Sequence, residues 1–347
     1  MKAPFPWFGG KRRVAPIIWQ AFGDVDNYVE PFAGSLAVLL ERPAWHKRRA
    51  ETVNDADQFL ANFWRAVAHD PEAVAAWADW PVNEADLFAR HLWLVNTGRE
   101  RLAAMDFDPD WYDAKVAGWW VWGICAWIGS GWCSGTGPHT LEAAGKLPHL
   151  GDAGRGVNRQ LPHLGDAGRG VNGPDDTAFA KGGSGATDSP WHNPTPDLPP
   201  VYGYFRVLAE RLRNVRVCCG DWARVCTTGA LNYGNSVGIL LDPPYLGDVR
   251  TSDLYAVDDH TIAHDVRGWA IANGDNPRHR IALCGYEPEH IDHMPDTWHM
   301  HSYSASKSYG SSAGGGVNDA NRALERIWFS PHCLDADEAL TLFGGAA

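Results

Sequence analysis

Residues 238–248 read GILLDPPYLGD. Gly and three aliphatic residues run without a gap into Asp242, Pro243, Pro244 and Tyr245. A proline lacks the backbone N–H and has a fixed φ, so two in succession end strand pairing. The apolar run therefore reads as a buried strand, with the Asp and Tyr held just outside its carboxyl end. In open α/β sheets, ligands bind at that end.

Working outward, the flanking sequence alternates between two periodicities. Residues 14–22 (VAPIIWQAF) predict a short helix closed by Gly23, and NYVEPFAGS (27–35) a strand and then a turn. ETVNDAD (51–57) repeats the form, a short strand ending in acidic residues. Helical spacing dominates 57–105, and 116–128 is apolar nearly all round, as in a buried helix. From 129 to 200, Gly, Pro, Asn, Asp and Ser punctuate almost every turn. Order resumes with an amphipathic helix at 201–214, the strand VRVCC and, after DPPY, a helix at 257–274. Strands at 280–286, 297–303 and 326–330 complete the series. This order predicts an α/β fold: a mostly parallel, doubly wound sheet with helices on both faces, interrupted by a helical and loop-rich insertion. The segments expected are 1–69, an insertion at 70–200, 201–335 and a tail at 336–347. Within the insertion, LPHLGDAGRGVN occurs at 147–158 and again, letter for letter, at 161–172. Two copies are too few for a solenoid, so each reads as a Gly-rich loop carrying one His, one Asp and one Arg.

With 347 residues, 45% of them hydrophobic, the chain can bury a large core. It has no run long enough to span a membrane and no apolar core of a signal peptide near its start. Seven cysteines without a C-x-x-C pair indicate neither a disulfide framework nor a zinc finger, and an intracellular, cytoplasmic protein is expected. The formal charge of −12 argues against a general nucleic-acid coat, although a few placed Lys and Arg suffice to read one short site.

Three strand ends carry the chemistry-bearing residues: EPFAGS (30–35), VND (53–55) and DPPY (242–245), with WFGGK (7–11) ahead of them and GDW (220–222) between. A Gly after a strand is by itself a tight turn. Asp55 follows Gly34 by 21 residues, and a Gly turn with a later acidic strand end suits a nucleoside, whose ribose hydroxyls donate to the carboxylate. In this order the five elements resemble the Dam-type DNA adenine-N6 methyltransferases, over roughly 1–65 and 200–330.

The resemblance implies a Rossmann-like methyltransferase sheet, S-adenosylmethionine as methyl donor, double-stranded DNA as partner and no metal. It assigns the donor to Trp7, Phe8, Gly9, Gly10 and Lys11, to Pro31, Phe32, Gly34 and Ser35 of the turn, to Asp55 at the ribose, and to Asp221 with Trp222 at the adenine. Lys11 also lies by the DNA in that family. In place of the family's frequent F-x-G-x-G, the turn here has Leu36 where the second Gly stands. The segment before DPPY carries target recognition in this class. Its duplicated loops offer Arg155 and Arg169, with Arg159 between them, as DNA contacts.

DPPY has a physical role in such a reaction. Adenine's exocyclic amine is a poor nucleophile because its lone pair is delocalised into the ring. Asp242 accepts one N–H and a carbonyl of the Pro243–Pro244 turn the other, which favours a tetrahedral nitrogen. Tyr245 offers a face on which an extruded base stacks. An Asp at the first position favours DNA adenine, while the cytosine-N4 amine satisfies the same geometry. A non-catalytic DNA-binding protein derived from the same fold is the alternative of a different class. The histidines at 260, 264, 290, 293, 299 and 301 read as solvated, since no ligand framework accompanies them.

Overall fold

The structure is a computed structural model, and it describes residues 1–7, 9–47, 49–108, 110–127, 132–133, 199–244, 262–303 and 324–334. The run at 238–241 lies in strand β4 (Val237–Leu241), all five residues of which are buried. It pairs in parallel with β1 (Asn27–Glu30) on one side and β5 (His279–Tyr286) on the other. A parallel strand covered on both faces needs a continuous apolar run, and VGILL supplies it. Beyond β1 lie β2 (Ala50–Asp55) and β3 (Val215–Cys219), both parallel; beyond β5 lie β7 (Glu325–Phe329) and β6 (His299–Ser302), paired antiparallel. The order β3-β2-β1-β4-β5-β7-β6 makes a mostly parallel seven-stranded sheet.

Alternate residues of each strand feed two cores. Tyr28, Val53, Leu240 and Ala282 pack with α1 (Ala15–Phe22), α2 (Ala37–Leu40), α3 (Gln58–His69) and α8 (Pro200–Leu212). Val29, Ile239, Leu241 and Ile281 pack with α10 (Ile262–Gly274) on the other face. This is the predicted Rossmann-like arrangement, with helices on both faces. Local chemistry sets the helix ends. Asp57 caps α3 by accepting from the Phe59 N–H at 2.9 Å, and α1 stops at Gly23 with φ +61°.

Helices α4 (Pro71–Ala78) and α7 (Ala114–Ala126) fall within the expected insertion. Their buried residues Val74, Ala75, Val116 and Trp120 join the same cluster as α3 and α8. Between them come α5 (Glu84–Trp93), one π-helical turn and α6 (Arg99–Leu102). Trp120 and Trp122 are fully buried, as the apolar pattern of α7 implied. Arg90 lies 4.3 Å from the centroid of the Trp122 ring, which gives its charge an aromatic partner where water is scarce.

At the amino ends of the strands, far from the DPP segment, Glu51 is held by two buried arginines. Arg42 Nη1 donates to Oε1 at 3.0 Å, while Arg211 Nη1 and Nη2 donate to Oε2 and Oε1 at 2.7 and 2.9 Å. Arg211 also donates to the Leu39 carbonyl at 2.8 Å, so one carboxylate ties β2 to α2 and α8.

Candidate active site

The carboxyl ends of β1, β2, β3 and β4 meet at one edge of the sheet, and the segment ahead of α1 lies over them. After β1 the chain turns through Pro31–Leu36. Gly34 has φ +46°, and a Cβ there would stand 2.6 Å from Trp7 Nε1, so only glycine lets Trp7 pack onto the turn. The Gly34 N–H donates to Asp55 Oδ2 at 2.9 Å, and Trp64 Nε1 donates to the Gly34 carbonyl at 3.0 Å.

Leu36, the departure from the glycine pattern, has itself taken the left-handed conformation, with φ 54° and ψ 28°. That conformation costs a non-glycine residue roughly 1–2 kcal/mol. Its side chain is fully buried, and burying a leucine returns roughly 1.5–3 kcal/mol. Burial outweighs strain, which is how a leucine keeps the turn's shape.

Asp55 ends β2. Besides Gly34, it accepts from the Asp57 N–H through Oδ1 at 2.9 Å and from the Ala56 N–H, and a carboxylate has about four acceptor positions, so room remains for a hydroxyl. Burial pushes its carboxyl up to about 6. Its neighbour Asn54 was not singled out from the sequence. It is 1% exposed and donates to the carbonyls of Pro31 and Gly220 at 3.1 and 2.9 Å, fastening the ends of β1 and β3 to β2.

At the end of β3, Asp221 is exposed, and its Oδ1 accepts the Ala223 N–H at 2.8 Å, capping the short turn that presents Trp222. Trp222 lies nearly parallel to Phe32, with ring centroids 6.2 Å apart and planes 27° from parallel. The two aromatic residues quoted from separate strand ends are thus neighbours.

Asp242 leaves β4 at the same edge, followed by buried Pro243 and half-buried Pro244. Its Oδ1 lies 2.9 Å from Lys11 Nζ, which also donates to the Gly9 carbonyl at 2.9 Å. Lys11 is only 5% exposed. Burial opposes its charge, but Asp242 first, then Tyr303 and Glu325, hold its pKa well above the ordinary lysine value. The residue placed by resemblance beside donor and DNA is therefore bonded to the first residue of DPPY.

Glu30, the last residue of β1, is another group that sequence reasoning passed over. It is 3% exposed and accepts from the Tyr28 hydroxyl at 3.0 Å. Burial pushes it up to about 8, and the charges of Asp242 and Asp55 act in the same direction. It is therefore a neutral acid at neutral pH. Gly10 and Ser35 lie at the same edge, exposed and buried respectively. Phe8, Tyr245, Arg155, Arg159, Arg169 and both LPHLGDAGRGVN copies lie outside the described residues.

One histidine differs from its solvated reading. His290, in α11 (Glu287–His290), is fully buried against Trp328, and burial pushes its pKa down to about 3. It sits beneath Gly285, where the absence of a Cβ leaves room for the ring. Among the described residues, no three His, Cys, Asp or Glu side chains are grouped so as to hold a metal ion. None of the described helices is long and apolar enough to cross a membrane.

The mostly parallel seven-stranded sheet with helices on both faces is consistent with a Rossmann-like methyltransferase fold. Residues 7–90 match the family model of the D12 class N6 adenine-specific DNA methyltransferases. The resemblance drawn from the motifs is borne out over that stretch, which holds WFGGK, EPFAGS and VND; GDW and DPPY lie beyond it. The similarity supports methyl transfer to DNA adenine as the activity. No curated protein matches the chain.

Proposed function

We propose that the chain is a site-specific DNA adenine-N6 methyltransferase that takes its methyl group from S-adenosylmethionine and acts on an adenine extruded from the duplex. The observation that carries this reading is the delivery of Asp242–Pro243–Pro244 by β4 to the same sheet edge as the Gly34 turn and Asp55. The residues at that edge fit a cationic nucleoside donor. Asp55 has lone pairs for a ribose diol, Phe32 and Trp222 offer aromatic faces, Asp221 keeps an oxygen for the adenine amine, and Glu30 adds a buried carboxyl. Trp7, Phe8, Gly9, Gly10, Pro31 and Ser35 complete the donor wall in this reading. S-adenosylmethionine supplies an electrophilic methyl on a sulfonium.

The chain's own residues supply the rest. Lys11 holds Asp242 Oδ1 and so orients the carboxylate that accepts a hydrogen of the target amine. The rigid proline carbonyl accepts the second hydrogen, and Tyr245 stacks on the base. As the nitrogen gains the methyl carbon, whose bond to sulfur breaks with the electron pair leaving on a neutral thioether, it must lose one proton, and Asp242 is its acceptor. No metal takes part in this scheme.

The segment 70–200 is assigned to target recognition, flanked by catalytic parts at 1–69 and 201–335 and a tail at 336–347. Arg155, Arg159 and Arg169 are assigned to DNA, and the protein to the cytoplasm of a prokaryotic or phage-infected cell. Replacing Arg155 and Arg169 together by Ala is expected to weaken duplex binding. It should also flatten the plot of log affinity against log salt by about two, one released counterion per lost phosphate contact. A filter-binding salt series reads this directly, and an unchanged slope removes both arginines from the DNA interface.

Donor affinity should depend on pH through Asp55. With its pKa at about 6, the carboxylate accepts both ribose hydroxyls above that pH and is protonated below it. The donor dissociation constant is expected to be flat above pH 7 and to rise about tenfold per pH unit below 6. Stability of the donor-free fold runs the other way. A carboxyl raised from 3.8 to about 6 contributes fully below the lower value, and that contribution is lost as pH rises through the higher. Calorimetric titration from pH 5 to 8 tests the first statement, and a flat affinity would take Asp55 out of the ribose site.

The experiment that tests the whole reading is incubation with unmodified DNA and isotope-labelled S-adenosylmethionine, followed by nucleoside mass spectrometry. Label in N6-methyladenine is the expected result. Label in N4-methylcytosine would keep the chemistry and change the base, and donor binding without labelled DNA would favour a non-catalytic protein.

A further inference from the structure

Beyond β5, the same edge of the sheet carries a further acid and a phenol. Leu241 pairs with Leu283, so Asp242, one step on, lies level with Cys284. Tyr286 on the same strand pairs with Glu325, and Ser302 pairs with Arg326, which brings Tyr303 level with Glu325. The Tyr303 hydroxyl donates to Glu325 Oε2 at 2.6 Å. Lys11, from the 3-10 turn Lys11–Arg13, has its ammonium on Asp242, and the charges of Tyr303 and Glu325 act on it as well. Lys11 and Glu325 are 5% and 7% exposed, so their charges are poorly screened by water.

This geometry bears on a problem left by the methyltransferase reading, on which the inference rests. The target amine becomes more positive as its bond to the methyl carbon forms, and a net negative charge beside it stabilises that change. Asp242 paired with Lys11 alone makes a neutral couple and does this poorly. We propose that Glu325, held in place by Tyr303, is a positioning residue that shares the charge of Lys11 and so leaves Asp242 anionic toward the target amine. Lys11, Asp242 and Glu325 together then carry one negative charge.

Among the described residues, three further titratable groups near Asp242 fit this division. Glu30 on β1 is protonated at neutral pH because burial pushes it up to about 8. Cys284 on β5 and Tyr303 after β6 are both raised by burial, so they remain a thiol and a phenol donor.

The test compares the full-length chain with Glu325→Gln and Tyr303→Phe, measuring labelled N6-methyladenine formed at saturating donor and DNA across pH 5 to 9. Saturating donor keeps Asp55 from contributing to the acid limb. The Gln variant makes the cluster neutral, and turnover is expected to fall about 10- to 100-fold, with half-saturation values for donor and DNA within about threefold of wild type. Its acid limb should move to lower pH, because Asp242 has lost a negative neighbour and keeps Lys11 to itself. Tyr303→Phe should shift turnover and limb in the same direction by less. Glu325→Asp, which keeps the charge, should recover part of the rate. Donor titration shows that each variant is folded; should Glu325→Gln fail to bind donor, Tyr303→Phe decides alone. Undiminished turnover, a loss confined to half-saturation, or an unmoved acid limb overturns the assignment. Wild-type protein that makes no N6-methyladenine overturns the methyltransferase reading and this inference with it. Active wild type beside equally active Glu325→Gln overturns this inference only.

Discussion

Asp242→Ala is expected to lower methyl transfer by on the order of 10²–10³-fold while donor affinity stays within about threefold. The substitution removes the acceptor for one amine hydrogen and the counter-charge for a positively polarised nitrogen, both of which matter most in the transition state. It also removes the carboxylate bonded to Lys11 at 2.9 Å, so the cluster of Lys11, Asp242 and Glu325 goes from one net negative charge to none beside the reacting amine. A neutral cluster no longer stabilises the developing positive nitrogen, so Ala should be worse than the loss of one hydrogen bond alone. The double variant Lys11→Met/Asp242→Ala should therefore recover part of the rate, although Lys11→Met by itself is harmful. Single-turnover kinetics, with donor binding measured separately, would show both effects. Near-normal turnover of folded Asp242→Ala would end its catalytic assignment.

Glu51→Ala should cost about 3–5 kcal/mol of folding stability, the usual result of removing one partner from a buried ion pair. Arg42 and Arg211 are both anchored on this carboxylate, and their side chains are 2% and 1% exposed. Ala leaves two guanidinium groups facing each other without their counter-ion, beneath the Val25 and Leu39 carbonyls that they also bond. Glu51→Gln keeps two hydrogen-bonding atoms and should cost less. Midpoints of denaturant unfolding for the three proteins would rank them. A loss below about 1 kcal/mol for Ala would mean that water reaches the cluster and screens it as at a surface. Because Glu51 lies near the start of β2 and Asp55 ends it, residual donor affinity in the folded fraction should be little changed.

Much of the fold was legible because it depends on short-range patterns. VGILL, NYVE and VRVCC are read as strands from their apolar content and from the turn residues that follow each one. Asp57, Gly23 and the two prolines mark their own boundaries. The Gly34 turn was equally open, since Gly34 and Asp55 meet wherever two adjacent parallel strands end together, and the hydrogen bond between them is the product. Leu36 was harder: its left-handed backbone is set by the cavity that takes its side chain, and no local pattern describes a cavity.

The sequence by itself determined the order of strands and helices, the carboxyl-edge location of DPP, and the family to which residues 7–90 are similar. These follow from periodicity and from motifs whose members are near neighbours in the chain. Only the tertiary structure decided that Lys11 bonds Asp242, that Tyr303 bonds Glu325, and that Glu30 is a buried acid raised to about 8. Lys11 and Asp242 are 231 positions apart, and Tyr303 and Glu325 are 22 apart. Such pairings depend on strand register across the sheet and on how much water the packed helices leave at its edge. Register and desolvation belong to the assembled fold, and no short stretch of this chain contains them.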